Sequence, residues 1–305
     1  WGLPFAGAMA GIKFVFSAVN EPAVLCDLME RENVTDSAGV PTVWLATFQY
    51  CDANDRPLPK LRAATIGGSA APRFMIERLM KNGTRVQHAW GMTETSPLAT
   101  LGAPTKAMAN MSDDERYRIQ TTAGKPMFGI DLEIFDDDGE PLPHDGTSRG
   151  FLRVRGPWVL NSYYKTEKPD AFFTDKDGGV WFDTGDIATL DADGFMRITD
   201  RSKDLIKSGG EWISSIDVEN TAMGHDDIVM AAVIGIPDER WDERPILIAV
   251  AAPDSNPTKE SVLEHLAGTL AKWQLPDEVY FVDELPMGAT GKVQKTKLRE
   301  QYAAE

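Results

Sequence analysis

The stretch from Arg62 to Ala89 constrains the architecture most. Arg62 to Ile66 predicts a short strand, Gly67-Gly68-Ser69-Ala70-Ala71 a turn, Pro72 to Lys81 a helix and Arg85 to Ala89 a second strand. A strand, glycine turn, helix and strand in that order form an α/β unit. Upstream, Val24, Leu25, Leu28 and Met29 recur at helical spacing between Glu21 and Asn33, and Pro41 opens a further helix through Trp44, Leu45 and Phe48.

Beyond Gly91 the pattern turns β-rich. Ile130, Leu132 and Ile134 alternate before Asp136-Asp137-Asp138-Gly139, Phe151 to Arg155 alternates again, and Val180 to Ile198 predicts a hairpin around Asp191-Ala192-Asp193-Gly194. A boundary is expected near Asp200. After it come the turn Lys207-Ser208-Gly209-Gly210, a helix capped by Ser214 with Asp217 in capping-box register, strands over Ile228 to Ile236 and Ile246 to Ala251, a helix from Lys259 to Lys272, a strand Val279 to Val282 and a basic tail. A chain of 305 residues accommodates two such domains. The fold class is thus α/β, with a small α+β domain in the last third.

The net charge of −16 argues against a surface built for nucleic acid or anionic lipid. The apolar opening from Trp1 to Ile12 is broken by Lys13, short of the roughly 18 residues that cross a bilayer, so no membrane span is expected. Cys26 and Cys51 are too few for a disulfide framework, and His88, His144, His225 and His265 lack metal-ligand spacing. The cytoplasm is the default compartment, and a homodimer the default assembly.

Four stretches carry candidate chemistry. Trp90-Gly91-Met92-Thr93-Glu94-Thr95-Ser96-Pro97 places an aromatic face, a hydroxyl and a carboxylate close together after a strand, suited to a base, a phosphate oxygen and magnesium. Alone, it reads equally as a strand end with an exposed polar turn. Asp186, in Trp181-Phe182-Asp183-Thr184-Gly185-Asp186, suits ribose hydroxyls but alone reads first as a hairpin residue. Asp200-Arg201-Ser202-Lys203-Asp204 sets two cations at the boundary, where a solvated loop is the ordinary reading. Gly288-Ala289-Thr290-Gly291-Lys292 lays a lysine on a glycine-flanked loop that is either a phosphate contact or a mobile tail.

In order and spacing these stretches resemble the acyl-CoA synthetases of the adenylate-forming superfamily, which includes acyl- and aryl-CoA ligases, peptide-synthetase adenylation domains and firefly luciferase. The resemblance covers essentially the whole chain. Trp-Gly-Met-Thr-Glu-Thr-Ser-Pro and Gly-Gly-Ser-Ala-Ala-Pro resemble in particular the medium- and long-chain fatty acyl-CoA ligases and the 3-methylmercaptopropionyl-CoA ligases. It implies that residues 1–200 form the latter part of a large N-terminal domain, with α/β layers and a β-rich subdomain, and residues 201–305 a small mobile C-terminal domain.

The site residues follow from the same resemblance. Gly68, Ser69 and Ala70 line an adenine pocket, with His88 at its edge, Trp90 on its face and Gly91 and Met92 beside it. Thr93 binds the α-phosphate and Glu94 magnesium. Asp186 and Arg201 take the ribose, Lys203 is the hinge, Gly209 and Gly210 open the CoA passage, and Lys292 is catalytic in adenylation. The expected substrates are ATP, CoA and a carboxylic acid; the apolar Leu98 and Met92 favour an aliphatic one, although a Met or Leu beside a turn is more often ordinary core. A rotation about Lys203 would exchange Lys292 for the glycine turn between the two steps.

The Ser/Thr/Gly-rich loop ending in Pro-Lys-Gly, which grips pyrophosphate in this family and lies upstream in family order, does not occur in the chain. With its opening on Trp-Gly-Leu-Pro, the chain is expected to be a piece of a longer polypeptide, incomplete as a catalyst, with Trp1 a remnant of the acyl-pocket segment. Phe151 stands where the family often has Glu, in a structural strand. A hydrolase reading on Ser69 fails at Ala71, where the nucleophile elbow needs glycine. A calcium loop over Thr189 to Asp200 starts on the wrong residue, and no dinucleotide fingerprint follows a strand. The alternatives to a CoA ligase are a non-catalytic or degenerate nucleotide-binding fragment and an adenylation domain that serves a carrier protein.

Overall fold

The computed structural model describes residues 2–166, 169–288 and 291–302. Trp1, with Ala289 and Thr290 of the lysine loop, lies outside the described residues. The chain divides into two compact units: Trp1–Thr184 with Ala188–Ile198, and Gly185–Ile187 with Thr199–Glu305.

In the first unit, α1 (Gly2–Ala10) and α2 (Pro22–Arg31) precede β1 (Asp36–Gly39), α3 (Pro41–Ala53), β2 (Ala63–Gly67), α4 (Arg73–Lys81), β3 (Arg85–Trp90), β4 (Thr100–Gly102), α5 (Asp113–Gln120) and β5 (Lys125–Pro126). The strands form one sheet in the order β1-β2-β3-β4-β5. β1, β2 and β3 are parallel, β4 runs antiparallel to β3, and β5 antiparallel to β4. Trp44 and Phe48 of α3 and Met75, Ile76 and Leu79 of α4 recur at helical spacing and are buried with Ile66 and Val86 of the sheet. Pro41 stands at the first turn of α3, where its missing N–H costs nothing. Cys26 and Cys51 are buried free thiols.

The β-rich part comprises β6 (Asp131–Phe135), β7 (Gly150–Arg155), β8 (Phe172–Thr174), β9 (Val180–Leu190) and β10 (Met196–Arg201). The order is β10-β9-β7-β6, with β8 on β9. Leu132, Ile134, Leu152 and Val154 alternate into one core with Phe182, Leu190 and Met196. The predicted hairpin turn forms: Asp191 Oδ1 accepts the N–H groups of Asp193 and Phe195 at 3.0 and 2.9 Å, and Gly194 adopts φ of +81°.

The second unit contains β11 (Ile206–Ser208), β12 (Glu211–Ile213), α6 (Ser215–Ala222), β13 (Ile228–Asp238), β14 (Asp242–Ala251), α7 (Lys259–Ala267), β15 (Glu278–Phe281) and α8 (Lys295–Tyr302). Its sheet runs β12-β11-β14-β13, with β15 parallel to β14. Alternate residues of the long hairpin divide between two cores. Ala231, Val233, Leu247 and Ala249 pack with Val218 of α6 and Val262 and Leu266 of α7, whereas Ala232, Ile234, Ile246 and Ile248 pack with Leu298 of α8. Ser214 caps α6 by accepting from Asp217 N at 3.0 Å. The helix predicted to reach Lys272 ends instead at Ala267, because Gly268 follows with no side chain to favour another turn. Among the described residues, no helix is long and apolar enough to cross a membrane.

Candidate active site

In the first unit the site grows out of the carboxyl ends of parallel strands. The register pairs Gly39 with Ile66 and Gly67 with Ala89, so the loops that follow β1, β2 and β3 leave the sheet along one edge. Such an edge is where open α/β sheets bind ligands. Gly68 has φ of +88°, and a Cβ there would lie 3.0 Å from Val40 Cγ1, so only glycine lets the loop after β2 lie this close to the segment after β1. Ser69 and Ala70 follow it. His88, inside β3, is buried, with backbone groups of Thr122, Ser69 and Thr121 close to its ring. Burial pushes the imidazole below its ordinary value of 6.5, and Nδ1 has no hydrogen-bond partner among the described residues.

Trp90 ends β3 opposite Thr100, half-buried. Gly91 starts the loop, and a side chain there would run into the carbonyl of Pro97, which folds back over it. Thr93 to Thr95 form a single 3₁₀ turn whose geometry is fixed from within by Thr95. The buried Thr95 Oγ1 accepts Met92 N–H at 2.9 Å and lies 3.1 and 3.0 Å from the carbonyl oxygens of Met92 and Pro97. With Thr95 turned inward, Thr93 is exposed and Glu94 half-buried.

Two contacts hold this turn from downstream: Leu160 N donates to the Glu94 carbonyl at 2.9 Å, and Trp158 Nε1 to the Leu98 carbonyl at 3.1 Å. Sequence reasoning missed Tyr163, whose hydroxyl donates to Glu94 Oε1 at 3.1 Å. Burial and the neighbouring carboxylate both push its phenol above the ordinary value. The separation of 69 positions leaves no local signal for the pair. No group of three or more His, Cys, Asp or Glu surrounds Glu94 among the described residues. A single hard carboxylate of this kind fits magnesium, which keeps waters and substrate phosphates as its other ligands.

The second unit brings together Asp186, Arg201 and Lys292. Arg201 Nε lies 2.8 Å from Asp186 Oδ1. The arginine side chain is 41% exposed and the aspartate 5%, so the carboxylate is held at depth while the guanidinium retains a solvent-facing side. Burial and the Arg201 charge push the Lys292 ammonium below its ordinary value, against an opposing pull from Asp186. The lysine loop is closed by Gly288 N donating to Lys292 O at 2.7 Å, and Gly291 adopts φ of +74°.

Lys203 is exposed in a turn after β10, where Asp204 N and Leu205 N both bond the Arg201 carbonyl. Gly209 and Gly210 are the two loop residues of the β11–β12 hairpin, with φ of +59° and +84°. A Cβ at Gly209 would lie 2.6 Å from the Trp241 ring, whereas Gly210 faces open space.

The first unit thus carries glycine loops at the ends of parallel strands with an exposed hydroxyl beside a carboxylate, and the second unit an acid–arginine–lysine group. The chain belongs to the AMP-binding enzyme family: the model of the AMP-binding enzyme matches residues 1–164, and that of the AMP-binding enzyme C-terminal domain matches residues 217–292. It is 45% identical over 304 residues to a 3-methylmercaptopropionyl-CoA ligase of Ruegeria lacuscaerulensis, covering 99% of this chain and 56% of that protein. Identity to the medium-chain-fatty-acid–CoA ligase of Ectopseudomonas oleovorans is 44%, covering 99% of this chain and 55% of that one.

Among solved structures, an anthranilate CoA ligase in complex with anthranoyl-AMP superposes with a TM-score of 0.81 at 27% identity, over 94% of this chain and 54% of that one. The o-succinylbenzoate CoA synthetase of Bacillus subtilis with its acyl-adenylate intermediate gives 0.79 at 27% identity, over 97% and 57%. The chain thus spans about half the length of the curated relatives it matches.

Proposed function

We propose that the chain is part of an AMP-forming acid:CoA ligase acting on a fatty or short aliphatic acid. A carboxylate oxygen attacks the α-phosphorus of ATP, the bond to the β-phosphate breaks, and pyrophosphate leaves. The CoA sulfur then attacks the acyl carbon of the resulting acyl-adenylate, AMP departs, and the thiol proton passes to solvent. No protein nucleophile takes part.

In this reading residues 1–200 belong to the large adenylate-forming domain and residues 201–305 are its small C-terminal domain. Gly68, Ser69, Ala70, His88, Trp90, Gly91 and Met92 frame the adenine, and the Thr93 hydroxyl donates to the α-phosphate. Glu94 would hold magnesium, which when bound neutralises charge on the phosphate oxygens. Asp186 and Arg201 orient the ribose, and Lys292 stabilises charge growing on the α-phosphate and acyl oxygens. Losing one such preorganised donor costs about 2.7–4 kcal/mol in the barrier. Lys203 serves as hinge, and Gly209 and Gly210 as the passage for CoA.

The observation that carries this reading is the grouping of Asp186, Arg201 and Lys292, drawn from distant parts of the sequence around one acidic centre. Its test is pyrophosphate release by the polypeptide that carries this chain, with magnesium-ATP and a series of short, medium and long fatty acids, with and without CoA. CoA-dependent turnover is expected. Turnover that needs a carrier-protein thiol instead would move the acceptor to a carrier protein, and no release under any condition would leave a nucleotide-binding fragment.

A further inference from the structure

Three residues past Lys292, Lys295 opens α8 with its side chain turned inward. Its ammonium lies 2.6 Å from Glu219 Oε1 and donates to Ser215 Oγ at 2.5 Å. Ser215 Oγ donates to Asp200 Oδ1 at 3.0 Å, Ser215 N to Asp200 Oδ2 at 2.6 Å, and Arg201 N to Asp200 Oδ1 at 2.8 Å. On the far side, Val233 N donates to Glu219 Oε1 at 2.8 Å. One turn further along α8, Arg299 pairs with Asp204 at 2.7 Å, a second tether to the same segment.

Asp200 and Ser215 are buried, and the Lys295 and Glu219 side chains are 13% and 16% exposed. Burial alone would lower the Lys295 pKa, but Glu219 and then Asp200 reverse this and raise it, which keeps the ammonium charged. Burial raises Glu219 against the opposing pull of Lys295, and raises Asp200 likewise. A buried ion pair of this kind is a poor device for stability, since apolar residues of equal volume often serve as well. What it does here is join two stretches: a continuous line of polar contacts runs from the backbone of Arg201 to the first residue of the helix that follows Lys292.

We infer that Lys295 is a positioning residue, whose buried contacts with Glu219, Ser215 and Asp200 hold the root of the Lys292 loop in register with Arg201 and Asp186. The inference rests on the adenylation role given to Lys292 above. Anchored at Lys295, the Lys292 backbone is fixed against α6 and β13, and only the lysine side chain remains to move. Without that anchor the ammonium loses its fixed distance from Arg201 and Asp186, and adenylation slows while ATP still binds.

The test compares Lys295→Met, Lys295→Arg, Lys292→Ala and the double variant Glu219→Gln/Lys295→Met in the full-length protein. The double variant removes both members of the Lys295–Glu219 pair, so that Glu219 is not left as an unpaired buried carboxylate, which lessens the risk of misfolding. Acid-dependent ATP–pyrophosphate exchange reports adenylation, and thioester formation from supplied acyl-adenylate and CoA reports the second step. Lys295→Met and the double variant are expected to lower kcat of exchange by about 100-fold, the scale of a misplacement near 1 Å. The KM for ATP and the rate of the second step should stay unchanged, and Lys295→Arg should recover most of the loss.

Normal exchange in a folded Lys295→Met or double variant, or equal slowing of both steps, would overturn the positioning role while Lys292→Ala still impairs exchange. Normal exchange in Lys292→Ala would instead remove the reading of Lys292, and the inference with it.

Discussion

The hydroxyl of Tyr163 donates to Oε1 of Glu94 across 3.1 Å, so the carboxylate proposed to meet magnesium is held by a residue that itself meets no substrate in this reading. A hydrogen bond to a charged acceptor contributes about 1.5–3 kcal/mol. Tyr163→Phe is expected to raise the magnesium concentration needed for half-maximal pyrophosphate release severalfold, with the acid dependence unchanged. A magnesium titration at saturating ATP checks this, and an unmoved midpoint would separate Tyr163 from the role of Glu94.

Gly91 has no room for a methyl group because the Pro97 carbonyl occupies that space. Backbone must move, at a cost of about 1–3 kcal/mol. Gly91→Ala should therefore lose stability and most of its adenylation rate together. Gly83→Ala is the matched control. Its φ of +83° makes any side chain strained, yet nothing lies within 4 Å, so it should lose stability and keep its activity. Denaturant midpoints and exchange rates of the two variants separate a shifted site from a weakened fold.

The hairpin glycines should likewise part company. At Gly210, alanine meets open space and costs only the strain of φ +84°, about 1–2 kcal/mol. At Gly209 it must also displace the Trp241 ring. Gly209→Ala is expected to slow thioester formation from supplied acyl-adenylate well beyond Gly210→Ala, with pyrophosphate exchange little affected in either.

His88 is expected to make the folded state acid-sensitive. Its folded pKa lies below the ordinary 6.5, so the unfolded chain binds the proton more readily. The contribution to stability is complete above about 6.5 and is lost as pH falls from there toward the folded value. Denaturant unfolding between pH 8 and 5 should show this decline, and His88→Gln should flatten it. A parallel decline in both proteins would assign the effect to other groups.

Local signals carried much of the fold. The α/β unit from Arg62 to Ala89 and the turn at Asp191 both follow from short-range chemistry: glycine turns, apolar periodicity and an aspartate that bonds its own backbone. α5 lies in the stretch beyond Gly91 whose pattern reads as β-rich, although Ser112 Oγ accepts Glu115 N–H and the Glu115 carboxylate accepts Ser112 N–H, a complete capping box. β1 leaves no signal either, since Asp36-Ser37-Ala38-Gly39 lacks the alternation that marks a strand and is held by its pairing with β2.

The same division holds at the site. Asp186, Arg201 and Lys292 were named through motif resemblance, but their grouping depends on tertiary structure. Tyr163 and Lys295 left no trace, because their partners are 69 and 76 positions away, the latter as the interval from Glu219 to Lys295.

Thr95 faces the interior and, among the described residues, its hydroxyl bonds the backbone that flanks it, yet the directions of Thr93 and Glu94 depend on it. A substitution scan scored by activity alone will therefore rank Thr95 beside its two neighbours and invite its assignment to the phosphate. Serine at that position, which keeps the hydroxyl and discards the methyl, is the change that tells the architect of the turn from its occupants: it should be tolerated at Thr95, where only geometry is at stake, while alanine should not.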